Sequence, residues 1–505
     1  YGITDADGVT VRVGVNFSAT TTAYNGAIVM RTLEVDGTIA LTTHGSGNAT
    51  IENDAGLNFA SSTVRGNLNA TATTGNITQD SGALTVTGTS IFRTDADGSN
   101  IVLNSASNAF SSWVKMLADD GGAGATGNET FGDITFVDSG AVVIQTSAAT
   151  DADGELLIDG STDGAVGGNL DITATTGDIT QGVALAVTGT STFITRATDA
   201  DITLNNANNA FTGAVVLNTT GSSGHATVVD ASGLDLGAST VGGNLTATAA
   251  TGNMTDSGNL TVTGTSSFIT SANNATITLN NTNALAGAVT ITTNDDSGTD
   301  ADVTIDNGTT ALILAASTID GDLTLTSGHA SGITDNGTIT LNNANAFTGA
   351  VALNTTGSSA HATVVDASGL NLAASAVGGN LSATATTGDI VDSGNLAVTG
   401  TATFITGASG SNIILDASGN AFSNAVTMKA DTGGDEAFGN ITFVDSGAVK
   451  LHSSASANGD LYINAAIDAA VGGNLNVTAT TGNITQGRVV AVGGTSSFTT
   501  SATGS

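Results

Sequence analysis

Short alternations of apolar and polar residues run along the chain. Leu84-Thr-Val-Thr-Gly88, Leu260-Thr-Val-Thr-Gly264 and Ile277-Thr-Leu-Asn280 place an apolar side chain at every second position, the period of a half-buried strand. Asn-Gly, Asp-Gly and Ser-Gly pairs punctuate these runs every several residues, which is turn chemistry. The pattern predicts many short strands and no helices.

The strands repeat. Gly-Asn-Leu followed by Thr/Ala alternation occurs at Gly66, Gly168, Gly243, Gly379 and Gly473, with Gly-Asp-Leu at Gly321. Successive spacings of 102, 75, 78, 58 and 94 residues are near-multiples of one length, about 19.4 residues. Longer copies exist: His225-Ala-Thr-Val-Val-Asp returns at His361, and Phe131-Gly-Asp-Ile-Thr-Phe returns at Phe438 with Asn440 in place of Asp133. Three short strands and three turns in about 19–20 residues describe one rung of a parallel β-helix. The expectation is therefore an all-β, single-stranded, right-handed parallel β-helix, with about 26 rungs in 505 residues. Residues 1–46 read as degenerate first rungs and 47–505 as recognisable repeats of one continuous solenoid. Thr50 through Leu68 aligns without gaps to Thr227 through Leu245. No linker, second domain or long insertion is visible.

The phenylalanines follow the same ruler. Phe92, Phe193, Phe268, Phe404 and Phe498 share one repeat position, and Phe110, Phe211, Phe347 and Phe422 share another. Phe131 pairs with Phe438, and Phe136 with Phe443. These side chains are expected to fill a narrow core.

Composition sharpens this picture. The chain has 67 Gly, no Pro and no Cys, where average usage would supply about 25 prolines. A proline in an interior rung would delete a ladder hydrogen bond. Without cysteine there is no disulfide framework, thiolate metal site or cysteine nucleophile. Lys+Arg number 9 against 44 Asp+Glu, a formal net charge of −35, so nucleic acid and anionic membranes are repelled. No apolar run approaches the roughly 20 residues of a spanning helix, so membrane insertion is not expected.

The run Val241-Gly-Gly-Asn-Leu-Thr-Ala-Thr-Ala-Ala-Thr-Gly-Asn253, followed by Ser257-Gly-Asn-Leu-Thr-Val-Thr-Gly-Thr265, resembles the repeats of large bacterial exoproteins. These are the filamentous-haemagglutinin-like adhesins and autotransporter passenger domains. The resemblance covers most of the chain and implies a right-handed β-helix on the cell surface. It carries over no functional residue.

Candidate chemistry is sparse. Asp5-Ala-Asp7-Gly8, Asp95-Ala-Asp97-Gly98 and Asp151-Ala-Asp153-Gly154 set two carboxylates two residues apart before a turn, hard oxygen ligands that can share Ca²⁺. Asp-Gly is also ordinary turn chemistry. Asp199-Ala-Asp201 and Asp300-Ala-Asp302 lack the glycine. His225 and His361 are copies of one position, which argues against a unique catalytic site, and no non-repeating cluster of acids and bases is present. Outward Thr pairs such as Thr71 and Thr73, Thr85 and Thr87, and Thr261 and Thr263 predict stacked Thr rows, a surface able to meet glycans or ice. Asn104, Asn205, Asn280 and Asn342, with Asp416 as variant, are expected to stack as an amide ladder. The reading is an extracellular, non-enzymatic fibre subunit or adhesin stalk. A carbohydrate- or ice-binding β-helix and a polysaccharide-active enzyme are the alternatives. Open terminal rungs predict end-to-end self-association.

Overall fold

The computed structural model describes residues 2–6, 8–118, 132–145, 155–158, 165–294, 301–315, 317–319, 321, 323–327, 338–347, 349–355, 358, 360–430, 439–452, 460–463, 470–487 and 489–501. It is all-β, with parallel strands stacked as a β-solenoid and no helix among the described residues. The chain divides into two compact units, Tyr1–Ala250 and Thr251–Ser505.

In the first unit one parallel sheet stacks Ile28–Val35, Ala49–Asn53, Leu68–Ala72, Ser90–Thr94 and Val114–Leu117 in turn. A second sheet stacks Ile134–Asp138, Leu170–Ala174, Ser191–Thr198 and Val215–Thr220. The second unit repeats this plan. His361–Asp366, Leu381–Ala385, Ala402–Thr406 and Val426–Lys429 form one ladder. Leu370–Leu372, Ile390–Asp392, Ile413–Leu415, Ile441–Asp445, Leu475–Ala479 and Ser496–Thr500 form the other. Each coil thus crosses from one sheet to the other and returns. The gapless match of Thr50–Leu68 to Thr227–Leu245 is realised as matching strands: Ala49–Asn53 corresponds to Ala226–Asp230, and Leu68–Ala72 to Leu245–Ala249.

The rung length differs from expectation. Cα partners step 19 residues from Ala49 to Leu68, 22 from Leu68 to Ser90 and 24 from Ser90 to Val114. The chain makes about 19 turns, not about 26. The reason is the Gly-Asn-Leu phrase itself. Within the first unit it opens a strand of the first sheet at Leu68, of the second at Leu170 and of the first again at Leu245. Its spacings therefore include half-turns, and dividing them as whole turns made the unit too short. Insertions also exist. The steps from Ile101 to Ile134, Ile134 to Leu170 and Ile441 to Leu475 span 33, 36 and 34 residues.

The core lies between the sheets. Strands show the alternating buried pattern of a two-residue period, since successive Cβ atoms point to opposite faces. Phe59, Phe92, Phe193, Phe268 and Phe404 are fully buried. Phe59 meets Phe92 edge to face with centroids 6.0 Å apart, and Phe92 meets Phe110 at 6.1 Å. In the second unit Phe422 joins Phe404 at 6.1 Å and Phe443 at 5.3 Å. Phe498 departs from the expected burial, being 50% exposed in the last described coil. Phe131 and Phe438 lie outside the described residues.

The third inward position of a strand follows a rule of three coils. Asn53, Ala72 and Thr94 are Cα neighbours in successive coils, and so are Asp138, Ala174 and Thr195. In the second unit Asp366, Ala385 and Thr406 repeat the order, as do Asp445, Ala479 and Thr500. Each triplet sets an acceptor, a small spacer and a hydroxyl at the corner where the strand ends.

Candidate functional site

The polar side chains that repeat are used to tie one coil to the next. The largest set precedes the first inward residue of a strand. Asn100 N donates to Asn76 Oδ1 at 2.8 Å, Asp133 N to Asn100 Oδ1 at 2.6 Å, Asn169 N to Asp133 Oδ1 at 2.7 Å and Thr190 N to Asn169 Oδ1 at 2.8 Å. A second run links Asp178, Asp201, His225 and Asn244 in the same way. In the second unit the run is Asp389, Asn412, Asn440, Asn474 and Thr495. This accounts for the Gly-Asn phrase. The side-chain acceptor of the preceding coil fills the space a Cβ would need: at Gly168 such an atom would lie 2.6 Å from Asp133 Oδ1, so only glycine fits.

Both histidine copies serve this ladder. His225 Nδ1 accepts from Asn244 N at 2.9 Å, and His361 Nδ1 accepts from Asn380 N at 2.8 Å. Nδ1 as acceptor fixes the neutral tautomer with its proton on Nε2. The amide ladder expected at Asn104, Asn205 and Asn280, with Asp416 as variant, is corrected, because these side chains are exposed beyond the strand end, while the side chain of Asn342 lies outside the described residues. The ladder side chains sit instead just before the strand.

A second set closes corners from inside. Asn53 Oδ1 accepts from Val35 N at 2.9 Å, Asp230 Oδ2 from Phe211 N at 3.0 Å, Asn307 Oδ1 from Leu285 N at 2.7 Å and Asp445 Oδ1 from Phe422 N at 3.3 Å. Burial pushes the Asp138 carboxyl up to about 6, against the pull of the Phe110, Ser139 and Gly140 amides. Burial likewise raises Asp366 and Asp445. Asp392 rises for the same reason, and the Asn420 amide opposes it.

Buried threonines form a third set. Thr94, Thr195, Thr219, Thr270, Thr355 and Thr406 each donate Oγ1 to the carbonyl five residues on, at 2.6–3.2 Å. Four residues after this hydroxyl, in four of these turns, stands a left-handed residue: Gly98, Asp199, Asn274 or Gly410, with φ of 70°, 63°, 63° and 80°. This explains the Asp-Ala-Asp-Gly motif. Gly98 supplies the positive φ, and Ser99 N closes the turn on Ala96 O at 3.1 Å. Asp199 adopts the conformation itself, which is why the glycine is dispensable there.

The calcium candidates fall differently. Asp5 Oδ2 accepts from Arg31 N, Thr32 N and Thr32 Oγ1 at 2.7–2.9 Å. Slight burial alone would raise its carboxyl, but these bonds outweigh it and hold it below the usual value. Asp95 Oδ1 pairs with Arg93 Nε at 2.5 Å, while Asp97 is exposed on the turn. Asp7, Asp151 and Asp153 lie outside the described residues. Among the described residues no three metal-ligating side chains cluster.

Outward threonines do stack: the expected Thr85 lies in a file with Thr42 and Thr63, and longer files occur at other positions. Thr180, Thr203, Thr227 and Thr246 form one file, and Thr255, Thr278, Thr304 and Thr324 another. Thr71 instead lies between Glu52 and Arg93, and Thr261 beside Ala284. A shallow groove of about 520 Å³ in the second unit is lined by Leu370, Asn371, Asp389, Val391 and Ser411 among others. Asp389 is engaged there by Asn412.

Comparison with known proteins gives one positive result. A family model described as repeats of unknown function (DUF5649) matches residues 46–116, 119–218, 223–292, 359–429 and 459–505. No curated protein and no solved structure matches the chain. With well over half of its length matched in five segments, the chain belongs to this family of repeats.

Proposed function

We propose that this solenoid is an extracellular, non-enzymatic spacer, the stalk of a bacterial surface adhesin or a subunit of a surface fibre. One observation carries the reading: the repeating polar side chains, including both copied histidines, are spent on coil-to-coil bonds. An enzyme would keep an acid, a base or a cation free at one non-repeating place. The likeness of Val241 to Thr265 to filamentous-haemagglutinin-like exoproteins supports the surface location. Self-association of such solenoids into filaments belongs to the same reading.

Antibody labelling of intact and permeabilised source cells tests it, with electron microscopy of the shed material. Labelling of intact cells, together with columns or filaments in the images, is the expected result. Labelling only after permeabilisation would overturn the proposal.

A further inference from the structure

We propose that Asp138, Asp366 and Asp445 act as a proton-operated lock that tightens coil against coil as the medium is acidified. All three occupy the acceptor place of the three-coil rule, at the end of Ile134–Asp138, His361–Asp366 and Ile441–Asp445. Each is buried. Asp138 Oδ1 takes the amides of Phe110 and Ser139 at 3.4 and 2.7 Å, and Asp445 Oδ1 those of Phe422 and Gly447, both at 3.3 Å. Asp366 Oδ1 is held by Ser368, while its buried Oδ2 is left without a well-directed donor.

The place needs an acceptor but no charge. Asn53 and Asn307 stand there in other coils and make the same bond with a neutral amide. Among the described residues no countercharge faces the aspartates. Around Asp138 are Asn108 and Phe110 from the preceding coil, Ala174 from the following one, and Ser139 and Gly140 of its own turn. Around Asp445 they are Asn420, Phe422, Ala479, Ser446 and Gly447. The next titratable group in that row is another carboxylate, Asp392, held by Asn420 at 2.6 Å and beside Asp416. Around Asp366 are Phe347, Ala385, Ala367 and Ser368. Asp230 occupies the same place but is bonded on both oxygens, by Phe211 and by Ser232, and stands outside the lock.

A protonated carboxyl keeps a carbonyl oxygen for the amide and sheds a charge its surroundings cannot solvate. Burial holds the Asp138 carboxyl at about 6 in the folded chain, above the usual value of about 3.8 that it regains on unfolding. Between these values the folded chain holds a proton that the unfolded chain has lost, so stability grows as pH falls through this window and is lost as it rises. From pH 7.5 to pH 5.0, one pH unit below the folded value, this amounts to about a tenfold gain in the local folding equilibrium.

Trp113, the one tryptophan of the chain, lies three residues past Phe110 and reports on this region. Its fluorescence would be followed through urea unfolding at pH 7.5 and pH 5.0 in the full chain, in Asp138→Asn and in the exposed control Asp97→Asn. The wild-type midpoint is expected to rise at pH 5.0. Asp138→Asn should raise the midpoint at pH 7.5 and flatten the dependence, while Asp97→Asn leaves it intact. Equal pH dependence in wild type and Asp138→Asn, or a lower wild-type midpoint at pH 5.0, would overturn the proposal. Should Asp138→Asn fail to fold, carbon-13 aspartate carboxyl titration of the wild type decides. A carboxyl titrating near pH 6 supports the lock, and titration of every aspartate below pH 5 refutes it.

Discussion

Ser90, Ser191 and Ser266 share one inward position, and their buried hydroxyls have no hydrogen-bond partner among the described residues. The fourth copy of the position is Ala402, equally buried. A buried unpaired hydroxyl costs free energy that a methyl group does not. Ser191→Ala should therefore stabilise the first unit by about 1 kcal/mol, read as a higher denaturant midpoint; a loss of stability would show that the hydroxyl is bonded in solution. The histidine copies allow a complementary experiment. Asn occupies the ladder place in neighbouring coils, so His225→Asn should preserve the bond to Asn244. His225→Leu removes the acceptor and should cost about 0.5–1.5 kcal/mol. Equal stability of the two variants at pH 8 would show that the ladder bond contributes nothing.

Strands in this fold are short because each has only two or three inward places before its corner. The apolar places carry the burial energy and the last place carries the turn. Phe193 is fully buried and meets Phe211 edge to face with centroids 6.3 Å apart. Phe193→Ala should cost about 3–5 kcal/mol, lost area plus the cavity left behind. Its neighbours Ile172 and Leu217 in the adjoining coils have few ways to close the gap. Hydrogen exchange should show loss of protection confined to coils around Ser191–Thr198. Uniform loss across both units would instead mean that the coils unfold as one, contrary to the nearest-neighbour behaviour expected of stacked repeats.

Charge acts over the longest distances. A chain at −35 with nine Lys and Arg repels itself, and ions weaken that repulsion within a screening length of about 8 Å at physiological ionic strength. Added NaCl should raise the melting temperature. Because Asp95 is already paired with Arg93 and its turn is closed by backbone bonds, Ca²⁺ is expected to add nothing beyond screening at matched ionic strength. Parallel melting curves in NaCl, CaCl₂ and chelator check this. A calcium-specific rise abolished by Asp97→Asn would reveal a site at the Asp-Ala-Asp-Gly turn.

Several features of this fold could be read along the chain because they are local. Alternation every second residue, the turn glycines and the missing prolines all follow from the backbone of a single strand and its ladder, so the strands, the stacking of repeats and the inward face of the Phe92 class were legible. What escaped is carried by contacts between residues 19 to 36 positions apart. Gly-Asn-Leu looked like a marker of one place per turn, yet its chemistry, an acceptor beside a space that admits no Cβ, suits a corner on either sheet. The same remoteness hid the ladder: Asn169 shows its role only when Asp133 and Thr190 are stacked against it. The charge state of Asp138 is set by burial between Phe110 and Ala174. Strand and repeat are properties of the covalent chain, whereas the turn length, the ladder partners and the buried charge exist only once one coil lies on another.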